Sequence, residues 1–268
     1  MNNQSWRGDL ERIRRAHTAR GRASGGRYVI EGLRLHERAL RAGLTIELAL
    51  VGASFQESDS ERVQALLAGL ADSGCRITIA PDAALKALTD GRGLGDILGL
   101  IPMPDPPTLD SLLIDNPLLL AAVNLVDPGN VGALARTGHA FGVTALLATG
   151  KSDPHHPRAL RTAMGSLFRL PALMNLDPLP LIAQLRAGGV QCVGAVSDGG
   201  VPLPEAHFAQ GGVALFMGSE YWGLPQEVVE RLNLLVTIPM AEGIDSLSVN
   251  AATAAILYQI QQARRHSS

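Results

Sequence analysis

The stretch Asn124-Leu-Val-Asp-Pro-Gly-Asn-Val-Gly-Ala-Leu-Ala-Arg136 leaves an apolar run and enters a helical pattern within a few residues. The run before it, Leu118–Leu125, is almost continuously hydrophobic, as expected of a strand buried on both faces of a parallel sheet. Asp127-Pro128-Gly129-Asn130 has turn composition, and Asn130 suits the N-cap of a helix over about 131–141. Arg136 lies almost two helical turns beyond Asn130. It is expected near the same face, as a guanidinium reaching back over the sheet edge.

Working outward, the alternation persists. Strands are expected at Ala145–Ala148, Gln191–Ala195, Val213–Met217 and Leu234–Ile238, with helices at about 156–164, 178–187, 225–232 and 247–264. This order predicts an α/β fold, a mainly parallel sheet with helices on both faces. Ligands of such sheets bind at the carboxyl ends of strands. Two more strand-end loops stand out. In Phe216-Met-Gly-Ser-Glu-Tyr-Trp-Gly-Leu-Pro225, Glu220 is the only charge between Val213 and Pro225, and glycines allow close backbone approach to a ligand. In Ile238-Pro-Met-Ala-Glu-Gly-Ile-Asp-Ser-Leu-Ser-Val-Asn-Ala-Ala-Thr253, a polar loop runs into a helix with Asp245 or Ser246 as candidate cap. Taken singly, each loop is a capped turn.

The N-terminal part reads as a small α/β domain, also with a mainly parallel sheet. Its expected helices are Arg7–Arg20, Leu33–Ala42, Ser60–Ala71 and Pro81–Leu88; its expected strands are Tyr28–Ile30, Ile46–Val51 and Arg76–Ala80. Ile101–Pro107 holds four prolines in seven residues, which favours an extended linker. The division is therefore a small substrate-binding domain over 1–103, a proline-rich linker over 104–116 and a larger domain over 117–268.

The 268 residues are 46% hydrophobic and 18% charged, enough apolar material for a sizeable core. Cys75 and Cys192 are too few for a disulfide framework or a cysteine-rich metal site, and read as small buried hydrophobes. No apolar run reaches the roughly 18 residues of a membrane span, and the arginine-rich start is unlike a signal peptide. A cytoplasmic location is expected. Net charge is −2, yet residues 1–41 hold ten Arg against four acidic residues. That polarity suits a nucleic-acid partner as well as it suits a solvated helix face.

Other enzyme classes lack their signatures. There is no Gly-x-Gly-x-x-Gly after a strand, and Gly194-Ala-Val-Ser197-Asp-Gly199 has the wrong spacing for a hydrolase nucleophile. His139, His155 and His156 form no convincing ligand set and read as exposed or capping.

Together the three loops resemble the motif set of the SpoU/TrmH branch of the knotted SPOUT methyltransferases, which methylate RNA ribose 2′-hydroxyls. The first is similar to Asp-Pro-x-Asn-x-Gly-x-x-x-Arg at Asp127, Pro128, Asn130, Gly132 and Arg136, followed by Phe141-Gly142. The second matches Gly-x-Glu-x-x-Gly at Gly218, Glu220 and Gly223; the third resembles Ile-Pro-Met and Ser-Leu-Asn-Val at Ile238, Pro239, Met240, Ser246, Leu247 and Val249. The resemblance covers about 117–268, and extends more loosely to an N-terminal RNA-binding domain through Arg27–Gly32.

It implies a trefoil knot, S-adenosylmethionine as co-substrate without a metal, an RNA partner (rRNA or tRNA), and a homodimer with the site near both protomers. It implies donor contacts at Gly218, Ile238, Met240 and Leu247, with a lesser one near Val196. Arg136, Asn130 and Glu220 are the implied catalytic group, and Arg20, Arg22, Arg27 and Arg161 the candidate RNA contacts. Two departures stand out: Ser248 replaces the family's Asn, with Asn250 two residues on, and Ala163 stands where many relatives have Ser. A non-catalytic RNA-binding or assembly factor that kept the fold is the alternative. The stripe Ala252, Ile256, Leu257 and Ile260 suits either an interface or a core.

Overall fold

The computed structural model describes residues 5–89, 96–209, 211–244 and 246–265. The chain divides into two units, Met1–Asp105 with His155–Arg169, and Pro106–Pro154 with Leu170–Ser268. The grouping is not linear in sequence, because Leu160 joins the first unit's core and Arg161 pairs there with Glu31.

The first unit is built on β1 (Arg27–Glu31), β2 (Leu48–Gly52), β3 (Arg76–Ala80) and β4 (Ile97–Pro102), in the order β1-β4-β2-β3. β4 is antiparallel to β1 and β2, and only β2 and β3 are parallel. The sheet is thus mixed, not mainly parallel. The proline-rich stretch hid β4, which ends at Pro102 opposite Arg27, a strand end where a missing N–H is tolerated. Alternation along the strands makes two cores. Tyr28, Ile30, Ala49, Val51, Ile97 and Ile101 pack with Leu35, Leu66 and Leu70. Val29, Leu48, Leu50, Leu98 and Leu100 pack with Ile13. Ile13 belongs to the helix Ser5–His17, which Asp9 ties to β3 by accepting from Arg76 and from Thr78 Oγ1 at 2.8 Å.

The second unit holds β5 (Leu118–Val123), β6 (Ala145–Thr149), β7 (Ala172–Leu176), β8 (Gln191–Ala195), β9 (Val201–Pro202), β10 (Val213–Met217) and β11 (Leu234–Thr237). Their order is β7-β6-β5-β10-β8-β11-β9, every pair parallel. Leu119, Ala121, Val123, Ala214 and Phe216 face a core covered by the helix Pro178–Ala187. The alternate residues Leu118, Leu120, Ala122, Val213 and Leu215 are buried on the other face. There Gly138, in the helix Pro128–Ala140, approaches so closely that a Cβ would lie 3.0 Å from Leu120 Cδ2. Ile256, Leu257 and Ile260, in the last helix Val249–Arg265, are fully buried within the chain, so this part of the stripe is core.

This strand order positions the site. From β5 the chain proceeds to one edge through β6 and β7. It then returns to build the other half, with β10 against β5 and β8 beyond it. The order therefore reverses between β5 and β10, and the loops that follow these two strands flank the crevice where open parallel sheets bind ligands.

Candidate active site

Asp127, not Asn130, caps the first helix: its Oδ1 accepts from Gly129 N–H at 2.7 Å, and Pro128 takes the first helical position. Asn130 is thereby left in the first turn with its amide available, and Nδ2 donates to the Glu220 carboxylate. Two site residues from different strand ends thus meet across the reversal point. Arg136 does not join them. At about 100° per residue, six positions carry it about 120° round the axis from Asn130 rather than onto the same face. It is exposed and does not line the cleft described below.

The second loop is a closed turn. Ser219 and Gly223 exchange backbone hydrogen bonds of 3.1 and 2.9 Å, and Trp222 N–H donates to Ser219 Oγ at 3.2 Å. A Cβ on Gly218 would lie 2.2 Å from the Gly223 carbonyl carbon, so that position requires glycine, and Gly223, at φ +63°, adopts a conformation that favours it. In the third loop Ser248 accepts from Ala251 N–H at 3.3 Å and caps the last helix. Asp245, one of the expected caps, lies outside the described residues. Asn250 Oδ1 accepts from Thr137 Oγ1 at 2.7 Å and Gln261 donates to the Phe141 carbonyl at 2.6 Å, so the last helix is bonded to the first at both ends.

These loops and the one after β8 enclose a cleft of about 630 Å³, within the range of small-molecule sites. Gly218, Glu220, Ile238, Met240 and Leu247 all line it, as do Val196 and Asp198. Its walls are polar and apolar in nearly equal measure, with Met217, Leu235 and Ile256 among the apolar residues. Among the described lining residues the charged ones are Asp198 and Glu220, and none is Lys or Arg. Such a cleft favours a ligand with an apolar body and positive charge, and so fits a sulfonium that also bears an ammonium. Asp198, Tyr221 and Trp222 were missed as site residues. Tyr221-Trp222 carries a visible signal, being the only adjacent aromatics in a chain with 4% aromatic residues.

The four candidate RNA arginines differ in environment. Arg22 is 3% exposed and donates to the carbonyls of Ala16 at 3.1 Å and His17 at 2.7 Å. It joins two helices of its own unit and is not a surface contact. Arg27 is bidentate to Glu47 at 2.6 and 2.9 Å, and Arg161 is paired with buried Glu31. Arg20 is exposed. His156 caps the helix Pro157–Ala163 by accepting from Arg158 N–H at 3.1 Å, whereas His155 is buried against Tyr28, ring centroids 5.0 Å apart. Both cysteines are free and buried; burial pushes the Cys75 thiol up to about 11 and Cys192 to about 12, so neither is a ready nucleophile.

Fold and cleft together define an α/β protein with an acidic cleft at the carboxyl ends of β8, β10 and β11, suited to a small cationic ligand. The sequence profile of the SpoU rRNA Methylase family matches residues 117–258, and the chain belongs to that family. It is 28% identical to the 23S rRNA (guanosine(2553)-2′-O)-methyltransferase RlmP of Bacillus subtilis (strain 168), over 92% of this chain and 94% of that one. The AdoMet-bound rRNA methyltransferase from Sinorhizobium meliloti superposes with a TM-score of 0.81 at 26% identity, covering 98% of this chain and 96% of the other. A solved RNA 2′-O ribose methyltransferase gives 0.80 at 28% identity, covering 96% of each. The protein is an RNA methyltransferase whose methyl donor is S-adenosylmethionine.

Proposed function

We propose that the protein methylates a ribose 2′-hydroxyl in ribosomal RNA, with the donor in the strand-end cleft and the hydroxyl presented at the Asn130–Glu220 pair. The observation that carries this reading is that pair itself, joined across the reversal point at the edge of a cleft whose charged lining, among the described residues, is acidic. The Bacillus subtilis relative, similar over nearly its whole length, supports ribosomal RNA as the substrate class.

When bound, S-adenosylmethionine supplies an already activated methyl group, so the residues around it align and hold. Gly218, Ile238, Met240 and Leu247 form walls for its uncharged parts, and Asp198 and Glu220 favour its positive charge. Alignment of oxygen, carbon and sulfur is a large share of such catalysis. Glu220 fixes the Asn130 amide, whose Oδ1 is then oriented to accept from the ribose hydroxyl. A guanidinium is a poor base; Arg136 instead stabilises the developing alkoxide while the hydroxyl proton passes to solvent water.

Because Arg136 does not line its own chain's cleft, we place it in the cleft of a second copy, as a homodimer with its site near both protomers allows. A knotted path through the last strands and a cytoplasmic location belong to the same reading; among the described residues no helix is long and apolar enough to cross a membrane.

Arg136→Ala should bind donor like wild type and transfer methyl at least about a hundredfold more slowly. Gly218→Val should lose donor binding through its clash with Gly223. Mixed dimers of the two variants regain one working site if Arg136 acts on the partner, and none if it acts within its own chain. Full activity of Arg136→Ala alone would refute its role.

A further inference from the structure

We propose that Tyr221 and Trp222 form a stacking platform for the base of the nucleotide being methylated. This rests on the RNA methyl-transfer reading above. The two rings are 91% and 89% exposed, the most exposed large hydrophobic side chains among the described residues. Apolar rings of that size are normally buried, so their exposure in adjacent positions needs an occupant.

They do not hang on a loose tail. The Ser219–Gly223 turn is closed by a reciprocal backbone pair and by the Trp222 N–H bond to Ser219, and Gly218 allows Gly223 to pack against it. The platform is therefore preorganised at the cleft edge, immediately after Glu220, which holds Asn130. Both side chains line the cleft, and at 91% and 89% exposure they stand at its open rim. They stand where the substrate must enter, beside the polar pair that receives its ribose.

A ribose fixed only through its hydroxyl can still rotate about the glycosidic and backbone bonds. Stacking the attached base removes that freedom without reading sequence, because every base presents a π-face. Tyr221 and Trp222 act as positioning residues, affecting how RNA is held rather than the transfer step.

The test uses the full chain. The protein has two tryptophans, so Trp6→Phe leaves Trp222 as the only fluorophore of its kind. In that background, bulk ribosomal RNA and short adenine or uracil homopolymers should quench Trp222 emission, and the donor alone should not. Tyr221→Ala and Trp222→Ala should each raise KM for RNA about tenfold, as loss of a stacked base implies. Any change in donor Kd or kcat should be much smaller than this rise in KM, oligomeric state should not change, and Trp222→Phe should restore most of the loss. Wild-type KM in both alanine variants overturns the platform. So does a donor Kd weakened as much as KM, which would assign the rings to the donor, or loss of self-association, which would assign them to a second copy of the chain. If the wild type itself methylates no RNA, it is the underlying reading that fails.

Discussion

Asp9, Arg22, Glu31, His36 and His155, each at most 5% exposed, belong to the first unit, whereas the buried polar side chains of the second, among the described residues, are the hydroxyls of Thr149, Ser152 and Thr253. Those hydroxyls are bonded to nearby backbone: Ser152 Oγ donates to the Ala122 carbonyl at 3.1 Å and Thr253 Oγ1 to Val249 at 2.7 Å. The first unit keeps charge inside and satisfies it with partners. The second is apolar inside, and the acidic residues that line its cleft, Asp198 and Glu220, lie in loops that follow strands. Stability of the first should therefore depend on ion pairing and pH, and that of the second on packing.

The largest effect is expected at Glu31. Glu31→Ala leaves the Arg161 guanidinium, with a side chain 20% exposed, facing a buried space without its counter-charge. Loss of one partner of a buried pair costs about 3–5 kcal/mol, read as an earlier urea transition of the first unit. The double change Glu31→Met, Arg161→Met should recover most of it, and donor affinity should persist throughout. A single variant as stable as wild type would remove the contrast between the units.

Next comes pH. His36 is fully buried, its Nδ1 bonded to the Gly32 carbonyl at 2.8 Å and its ring standing over Gly99, and burial lowers its pKa to about 4. The unfolded chain takes up this proton near pH 6.5 while the folded unit refuses it until about pH 4. Stability of the first unit should fall as pH drops through that window, by about 3 kcal/mol in all, and level off below it. His36→Leu should flatten this slope by about one proton, while the second unit's transition stays nearly level across the same range. A slope unchanged in that variant would place the buried proton linkage elsewhere.

The smallest effect concerns the second unit. Asp127→Ala removes the cap on Gly129 N–H and should lower its stability by about 1 kcal/mol, with no dependence on pH between 6 and 8. A larger loss accompanied by loss of transfer would show that the cap also holds Asn130 in place for Glu220.

The units also differ in how far their sequences could be read. β5, β6, β8, β10 and β11 are continuous apolar runs and were found within a residue or two. β7, at the sheet edge, escaped notice because it is irregular, with Asn175 at φ +58° and a register shift against β6. In the first unit β4 was hidden by Gly99 and the prolines that follow it, and with it went the antiparallel character of the sheet. At the cleft, Gly218 and Gly223 were legible because the closed turn leaves no room for a Cβ at one and needs a positive φ at the other, and Glu220 because it is the lone charge in an apolar stretch. Asn130 was misread as a cap because both Asp and Asn suit that role, and only the fold shows which residue takes it. Arg22 and Arg27 were legible as charge and not as partners, since their carbonyl and carboxylate acceptors are set by folding.

The central claim is that the second unit's cleft delivers a methyl group to a ribose hydroxyl. Its most direct test is to incubate the full chain with methyl-labelled S-adenosylmethionine and ribosomal RNA, digest the RNA to nucleosides and identify the labelled product. The account predicts a single 2′-O-methylnucleoside, absent with Gly218→Val and strongly reduced with Arg136→Ala. Label on a base, or donor binding without any 2′-O-methylnucleoside, would contradict it.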